Sequence, residues 1–443
     1  MRDMTQGSIF KQLLGYAVPM VLGNMLQLTY NAVDSMIISK ALGEDALAAV
    51  STTTPIMTIM VLGASGMGIG ASVLMSRMYG AKDMAGLKRE FSTTVLSGAV
   101  FSLLVFLLGF GLSGQLLRWT STPESVLGMA ETYLRIVFVG FLFTFQYNLL
   151  SSAMRAVGDS KTPVMFLSLS CILNGLLDVL MVLVFRFGVA GAAWATTISE
   201  AVSACACMVW IRRRMPLLSL RRGEWQVDRP LLKETAQLGA LTALQQAAQP
   251  LGKVLIQSVV NAQGISAIGA FNAASRIDDF ARIPTQSIGS GVMTCTAQHR
   301  GAKKPERMRE SLRKGLLIAT LYYPIIFLLV WLLRQPAVQL LCPDGSTEMV
   351  TMGVSYLAVK GWFFIMPGFT NSVQGFFRGV ARMRVVLIST IIQISIRTLF
   401  VYLLVPGMGI VGEAWGCFAG WLCMLIFEGT YYLVWKRRGG YDC

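Results

Sequence analysis

Apolar and polar positions along this chain alternate on the scale of a membrane rather than of a helix turn. Long apolar runs are separated by short polar segments, and some of the runs hold no charge at all, as in 95–112 (VLSGAVFSLLVFLLGFGL) and 316–333 (LLIATLYYPIIFLLVWLL). A helix rising 1.5 Å per residue needs about 20 residues to cross a bilayer core. The runs predict spans near 12–38, 46–74, 92–112, 130–152, 163–185, 189–211, 235–260, 267–295, 314–334, 352–376, 386–405 and 410–435. The expected fold class is therefore an all-α integral membrane protein with twelve transmembrane helices. The first run is a full span without a small-residue cleavage site, so no cleavable signal is expected.

Composition agrees. Hydrophobic residues make up 54% and charged residues 14% of 443, and the mean hydropathy is +0.59. A soluble domain usually carries about 25% charged residues, so a water-facing surface on this scale is excluded. The net charge of +15 would suggest nucleic acid in a soluble protein, but its placement points elsewhere. Of 38 Lys and Arg, 28 fall in the termini and alternate loops, and only Lys40, Arg118, Arg135, Arg186 and Arg334 fall in the opposite loops. Basic residues stay on the cytoplasmic side, which predicts cytoplasmic N and C termini, a plasma-membrane location and no nucleic-acid partner. The eight cysteines show neither disulfide-framework nor zinc spacing.

The two halves superpose as sequences. At an offset of 221 residues Gly43 falls on Gly264, Gly68 on Gly289, Gly70 on Gly291, and Gly80-Ala81-Lys82 on Gly301-Ala302-Lys303. At 223, Tyr133-Leu134 falls on Tyr356-Leu357 and Arg155 on Arg378; at 221 again, Gly188, Gly191, Ala193 and Trp194 fall on Gly409, Gly412, Ala414 and Trp415. A sustained offset signals duplication. Six spans per copy make the repeats parallel, with a substrate path expected between them. The expected domains are a 1–211 N-terminal lobe, a basic 212–233 cytoplasmic linker and a 234–443 C-terminal lobe. Gly66, Gly68 and Gly70 sit in an apolar run, where close helix packing explains them better than a nucleotide loop.

Polar residues inside the spans narrow the function. Asn24, Gln27, Asn31 and Asp34 are spaced three, four and three apart and share one helical face. The plain reading is an interhelical hydrogen-bonding stripe; the sharper one is a cavity wall ending in an ion-binding carboxylate. Depth favours the second: Asp34 lies roughly 9 Å, and Asp178 and Thr196 about 12 Å, below the outer helix ends, with Asn174 one turn deeper than Asp178. Two carboxylates, an amide and a hydroxyl suit a hard monovalent cation or shared protons, and intramembrane charge is costly enough to imply a role. The second copy departs, with Leu255 opposite Asp34 and Arg397 opposite Asn174. There Lys253 is expected to form a buried ion pair with Asp278 or Asp279, mainly structural in role.

The stretches 31–50 (NAVDSMIISKALGEDALAAV), 154–163 (MRAVGDSKTP), 188–197 (GVAGAAWATT) and 275–302 (SRIDDFARIPTQSIGSGVMTCTAQHRGA) resemble the multidrug and toxic compound extrusion (MATE) family over nearly the whole chain. The resemblance implies a two-lobed, twelve-helix antiporter that expels small organic cations or amphipathic drugs in exchange for Na⁺ or H⁺, with no resident cofactor, working as a monomer in the lipid bilayer. It implies that Asp34, Asn174, Asp178 and Thr196 form the N-lobe cation site of prokaryotic members and that Pro19 is the proline where helix one bends. Glu200, where a neutral residue is common, departs from the pattern and either extends the cation site or contacts cationic substrate, as Asn31 and Gln27 do on helix one. The C-lobe acidic site of the sister branch is not found. The 25 methionines offer adaptable packing for varied cargo. A lipid or lipid-linked oligosaccharide flippase is the alternative, disfavoured by the acidic rather than cationic N-lobe. An intramembrane enzyme is more distant: Asp278-Asp279 resembles the start of an Asp-rich prenyl-transferase motif, but Phe280, Ala281 and Arg282 follow, no HExxH occurs, and the one histidine, His299, lies by a basic loop.

Overall fold

The computed structural model describes residues 3–343 and 345–441. The fold is helical throughout, in chain order α1 (Ile9–Leu42), α2 (Glu44–Gly80), α3 (Met84–Trp119), α4 (Glu124–Ala156), α5 (Lys161–Asp178), α6 (Gly188–Arg214), α7 (Arg229–Asn261), α8 (Ile265–Gly301), α9 (Pro305–Leu341), α10 (Thr347–Trp362), α11 (Ile365–Gly379), α12 (Met383–Met408) and α13 (Val411–Arg437). Most expected spans lie inside one of these; the span expected at 163–185 runs past α5 into a π-helical turn, Val179–Val184, the one at 410–435 starts one residue before α13, and the one at 352–376 is broken, α10 and α11 meeting at a 50° bend. Pro367 explains the break. It lacks the N–H that would bond the Phe363 carbonyl, and the chain instead tightens through bonds from Phe363 N to Lys360 O (2.9 Å) and from Met366 N to Phe363 O (3.0 Å).

With α10 and α11 taken as one span, twelve transmembrane helices result. Among the described residues, ten of these are long and apolar enough to cross a bilayer by composition alone. The exceptions are α7 and α8, where Gln245, Gln249, Lys253, Arg276, Asp278, Asp279 and Arg282 interrupt the apolar run. Polar side chains need a buried or wet environment at membrane depth.

The chain packs as two compact units. One comprises Leu22–Ala243; the other comprises Asp3–Val21 and the chain from Leu244 onward. The first part of α1 thus belongs to the core of the second unit, where Ile9, Leu13 and Tyr16 pack with Val292, Phe376 and Phe377. The first part of α7 belongs to the first unit: a Cβ on Gly70 would lie 2.7 Å from the Gly239 backbone nitrogen, and one on Gly66 2.7 Å from the Ala243 nitrogen. The glycines of α2 are there to let two helix backbones touch, as expected for membrane helices.

The duplication is visible in the backbone. Positive φ recurs at matched turns: Gly43 (85°) and Gly264 (97°), Lys82 (59°) and Lys303 (53°), Gly158 (81°) and Ala381 (57°), Gly188 (62°) and Gly409 (61°). Asp83 caps α3 by accepting a bond from Gly86 N at 2.8 Å, and Ser346 caps α10 by accepting from Met349 N at 3.2 Å. The seven described cysteines are all free.

Candidate functional site

Three helices of the first unit assemble the site. Asp34 stands eight residues before the end of α1, Asp178 is the last α-helical residue of α5, and Thr196 lies eight residues into α6. At 1.5 Å per residue, Asp34 and Thr196 are each about 12 Å from the ends of their helices. Past Asp178 the chain continues as a π-helical turn, Val179–Val184, with Phe185 N bonding back to Leu180 O at 2.9 Å. Such widened turns are frequent at functional sites because they re-aim the adjoining side chains.

The structure brings the four residues of the expected set together. The Asn174 amide donates to Thr196 Oγ1 at 3.0 Å, and Thr196 donates onward to the Ala192 carbonyl at 3.2 Å. That chain of bonds uses the donors and leaves the acceptors. Asn174 Oδ1, Asp34 Oδ1 and both oxygens of Asp178 are buried without a hydrogen-bond partner among the described residues. Asn174 and Asp178 are almost fully buried, Asp34 partly so. The Asp34 and Asp178 carboxyls are immediate neighbours. No ion pair reaches Asp34, Asp178 or Glu200 among the described residues. An unpaired buried carboxylate is strongly disfavoured, and among the described residues no protein cation reaches this pocket of oxygen acceptors.

The other expected residues fall in different places. Glu200, half-buried one turn along α6 from Thr196, accepts a hydrogen bond from the Thr144 hydroxyl of α4. Asn31 and Gln27 are exposed on α1. Pro19 lies about 22 Å along α1 from Asp34, in the segment that packs in the second unit. Two tyrosines outside the expected set also lie by these residues. Tyr30, one turn before Asp34, reaches the Thr196 hydroxyl. Tyr133 of α4 is buried in the field of Asp34, Asp178 and Glu200. The i, i+4 spacing of Tyr30 and Asp34 was the available signal for the first; nothing local marks Tyr133.

In the second unit Lys253 Nζ lies 3.2 Å from Asp279 Oδ1, but the pair is half-exposed rather than buried. Asp278 is held instead by Arg282, at 3.4 Å from its Nε, and Arg282 also reaches Asp279 at 2.5 Å. A second charged cluster lies deeper. Glu413 of α13 is fully buried, accepts from Tyr356 Oη at 2.6 Å and Cys417 Sγ at 3.1 Å, and pairs with Lys360 Nζ at 3.4 Å and Arg397 Nε at 3.1 Å. This carboxylate is saturated with donors, whereas those near Thr196 have almost none.

Comparison with known proteins bears directly on this arrangement. The MatE family profile matches residues 19–180 and again 242–403, the second match beginning 223 residues after the first. The chain is 30% identical over 393 residues to the probable multidrug resistance protein YpnP of Bacillus subtilis, covering 88% of this chain and 87% of that one. It is 22% identical to the multidrug export protein MepA of Staphylococcus saprophyticus, covering 98% and 95% respectively. In fold it is similar to a solved MOP superfamily transporter from Pyrococcus furiosus, with a TM-score of 0.89 at 21% identity over 98% of this chain and 97% of that chain. The duplicated family match, spread over both six-helix repeats, makes this chain a member of the MATE family of multidrug efflux transporters, a transporter and not an enzyme.

Proposed function

We propose that the chain is a cation-coupled antiporter of the plasma membrane that exports small cationic or amphipathic organic compounds by alternating access. The observation that carries this reading is the cluster in the first unit: four buried acceptor atoms of Asp34, Asn174 and Asp178 lack a partner beside the Asn174–Thr196 bond. Asp34 and Asp178 take up Na⁺ or a proton, with Asn174 and Thr196 completing an all-oxygen shell. Glu200, on the same helix as Thr196, adds negative charge that attracts a cationic substrate. Asn31 and Gln27 offer exposed polar contacts on α1.

Exchange follows if ion and drug bind to different shapes of α1, whose backbone bond to the Gly15 carbonyl is missing at Pro19. A ligand shifts such an equilibrium only by its difference in affinity for the two states, and the coupling is reciprocal, each ligand weakening the other by the same factor. No cofactor other than the coupling ion takes part, and the working unit is a single chain with both termini in the cytoplasm and lobes at 1–211 and 234–443.

Efflux of a cationic dye from proteoliposomes, with Na⁺ and pH gradients imposed separately, tests the proposal. One gradient alone should drive efflux in wild type, and Asp34→Asn should reduce driven efflux to background with unchanged protein yield. Wild-type rates in that variant would sink the coupling assignment.

A further inference from the structure

The second unit holds a cavity of about 330 Å³ walled by α7, α8, α10, α12 and α13. Its charged lining is four cations, Lys253, Arg276, Arg282 and Arg397, against two carboxylates, Asp278 and Asp279. The pairings leave a surplus. Asp279 is shared by Lys253 and Arg282, and Asp278 is taken by Arg282. Behind the wall Glu413 is shared by Arg397 and Lys360. Arg276 is exposed and has no ion pair among the described residues. The acids present do not neutralise these cations, so the cavity carries a net positive charge that would attract an anion. Phe271, Tyr356 and Trp421 supply an aromatic surface in the same cavity.

We infer that this cavity is a second ligand site, selective for an amphipathic organic anion. A carboxylate or phosphate group would lie against Arg276 and Lys253, and an apolar body against Trp421, Tyr356 and Phe271. The size falls within the range of small-molecule pockets. Arginine presents a planar fork that meets carboxylate or phosphate with two parallel bonds. The two halves of the transporter then read opposite charge: bare acceptors in the first unit, surplus donors in the second. This site does not depend on the ion-coupling proposal, because it is defined by binding alone. The same anionic group is borne by soluble organic acids and by anionic lipid headgroups.

Equilibrium binding separates these cases without any gradient. The full chain in phosphatidylcholine nanodiscs is titrated with dansylglycine, an aromatic carboxylate, and with dansylamide, its neutral counterpart. Dansylglycine should bind about tenfold or more tightly than dansylamide, the scale of a hydrogen bond to a charged group. Arg276→Gln should erase that preference, and Arg276→Lys, which keeps the charge but not the fork, should keep only part of it. Inorganic phosphate should compete. Repeating the titration in discs containing phosphatidylglycerol assigns the source: displacement of the probe means a lipid headgroup fills the anion site, and undiminished binding means a soluble acid does. Equal affinity for the two probes, or a preference that survives Arg276→Gln, overturns the inference. Loss of dye efflux in Asp34→Asn reports on the separate coupling site whichever way this result falls.

Discussion

Glu413 and Asp178 are both buried carboxylates inside a membrane protein, and their surroundings give them opposite tasks. Glu413 is held by Lys360, Arg397, Tyr356 and Cys417, so it acts as a structural keystone. Removing one partner of such a cluster leaves uncompensated charge, which costs about 3–5 kcal/mol. Glu413→Gln should therefore lower the thermal unfolding temperature of the purified protein sharply, and adding Lys360→Met should restore part of it; a Tm equal to wild type in the single variant would remove the structural role. Near Asp178 the matching deletion is mild. Thr196→Val keeps the shape but loses the hydroxyl that accepts from Asn174 and donates to Ala192, a loss of about 1 kcal/mol. The expected outcome is a folded protein whose dye efflux needs a severalfold higher concentration of the coupling ion, in contrast to the loss of driven efflux expected of Asp34→Asn; an unaltered ion dependence would exclude Thr196 from the ion shell. The stripe of Asp34 on α1 and the depths of Asp178 and Thr196 were legible in the sequence because spacing and the cost of intramembrane charge both act locally. Lys360 and Glu413 were open to the same rule, lying inside expected spans. Their closure into one cluster depends on how α10, α12 and α13 pack, which no local spacing encodes. For the same reason Lys253 and Asp279 could be paired from sequence but not placed at a half-exposed position.

At the level of elements, the apolar runs set the helices because a bilayer core demands about 20 residues of internal hydrogen bonding from each span. The runs could not announce the 50° break between α10 and α11, since Pro367 lies inside an apolar stretch and prolines are tolerated in other helices here, such as Pro19, Pro55 and Pro250. The π-helical turn after Asp178 carries no residue signature either: Val179–Val184 reads as an ordinary apolar run. Turns, by contrast, keep their shape between the repeats, and at one of them the residue differs. Gly158 has φ of 81° and its counterpart Ala381 has φ of 57°. A side chain in the left-handed region costs roughly 1–2 kcal/mol, partly offset by the lower chain entropy of alanine in the unfolded state. Ala381→Gly should raise the unfolding temperature slightly; a fall would mean the methyl group packs better than the backbone is strained. The helix contact nearby works the other way. A Cβ on Gly375 of α11 would fall on the Gly289 carbonyl of α8, so Gly375→Ala must push two backbones apart, at about 1–3 kcal/mol, and should lower the unfolding temperature.

For the molecule as a whole, duplication and charge placement make one joint demand. Two copies of a six-span unit, each starting on the same side, put the residue 212–233 linker on the side of both termini and put the α7–α8 turn on the other. The 28-to-5 division of Lys and Arg between alternate loops predicts that the termini and the linker face the cytoplasm. The first copy contributes bare carboxylates and the second a surplus of guanidinium and ammonium groups on a shared scaffold. The orientation that this requires is measurable. In a background with the other cysteines replaced, Gly223→Cys and Ala262→Cys each place a thiol at an exposed position, one in the linker and one in the α7–α8 turn. A membrane-impermeant maleimide added to whole cells should label Ala262→Cys and leave Gly223→Cys unmodified until the membrane is opened. The reverse pattern would invert the topology. Labelling of both from outside would break the even span count, because a linker and a turn separated by one span cannot share a side. With the expected pattern, the Asp34–Asp178 cluster lies in the outer half of the membrane, about 12 Å from the outer end of α1, and a coupling ion would reach it from outside.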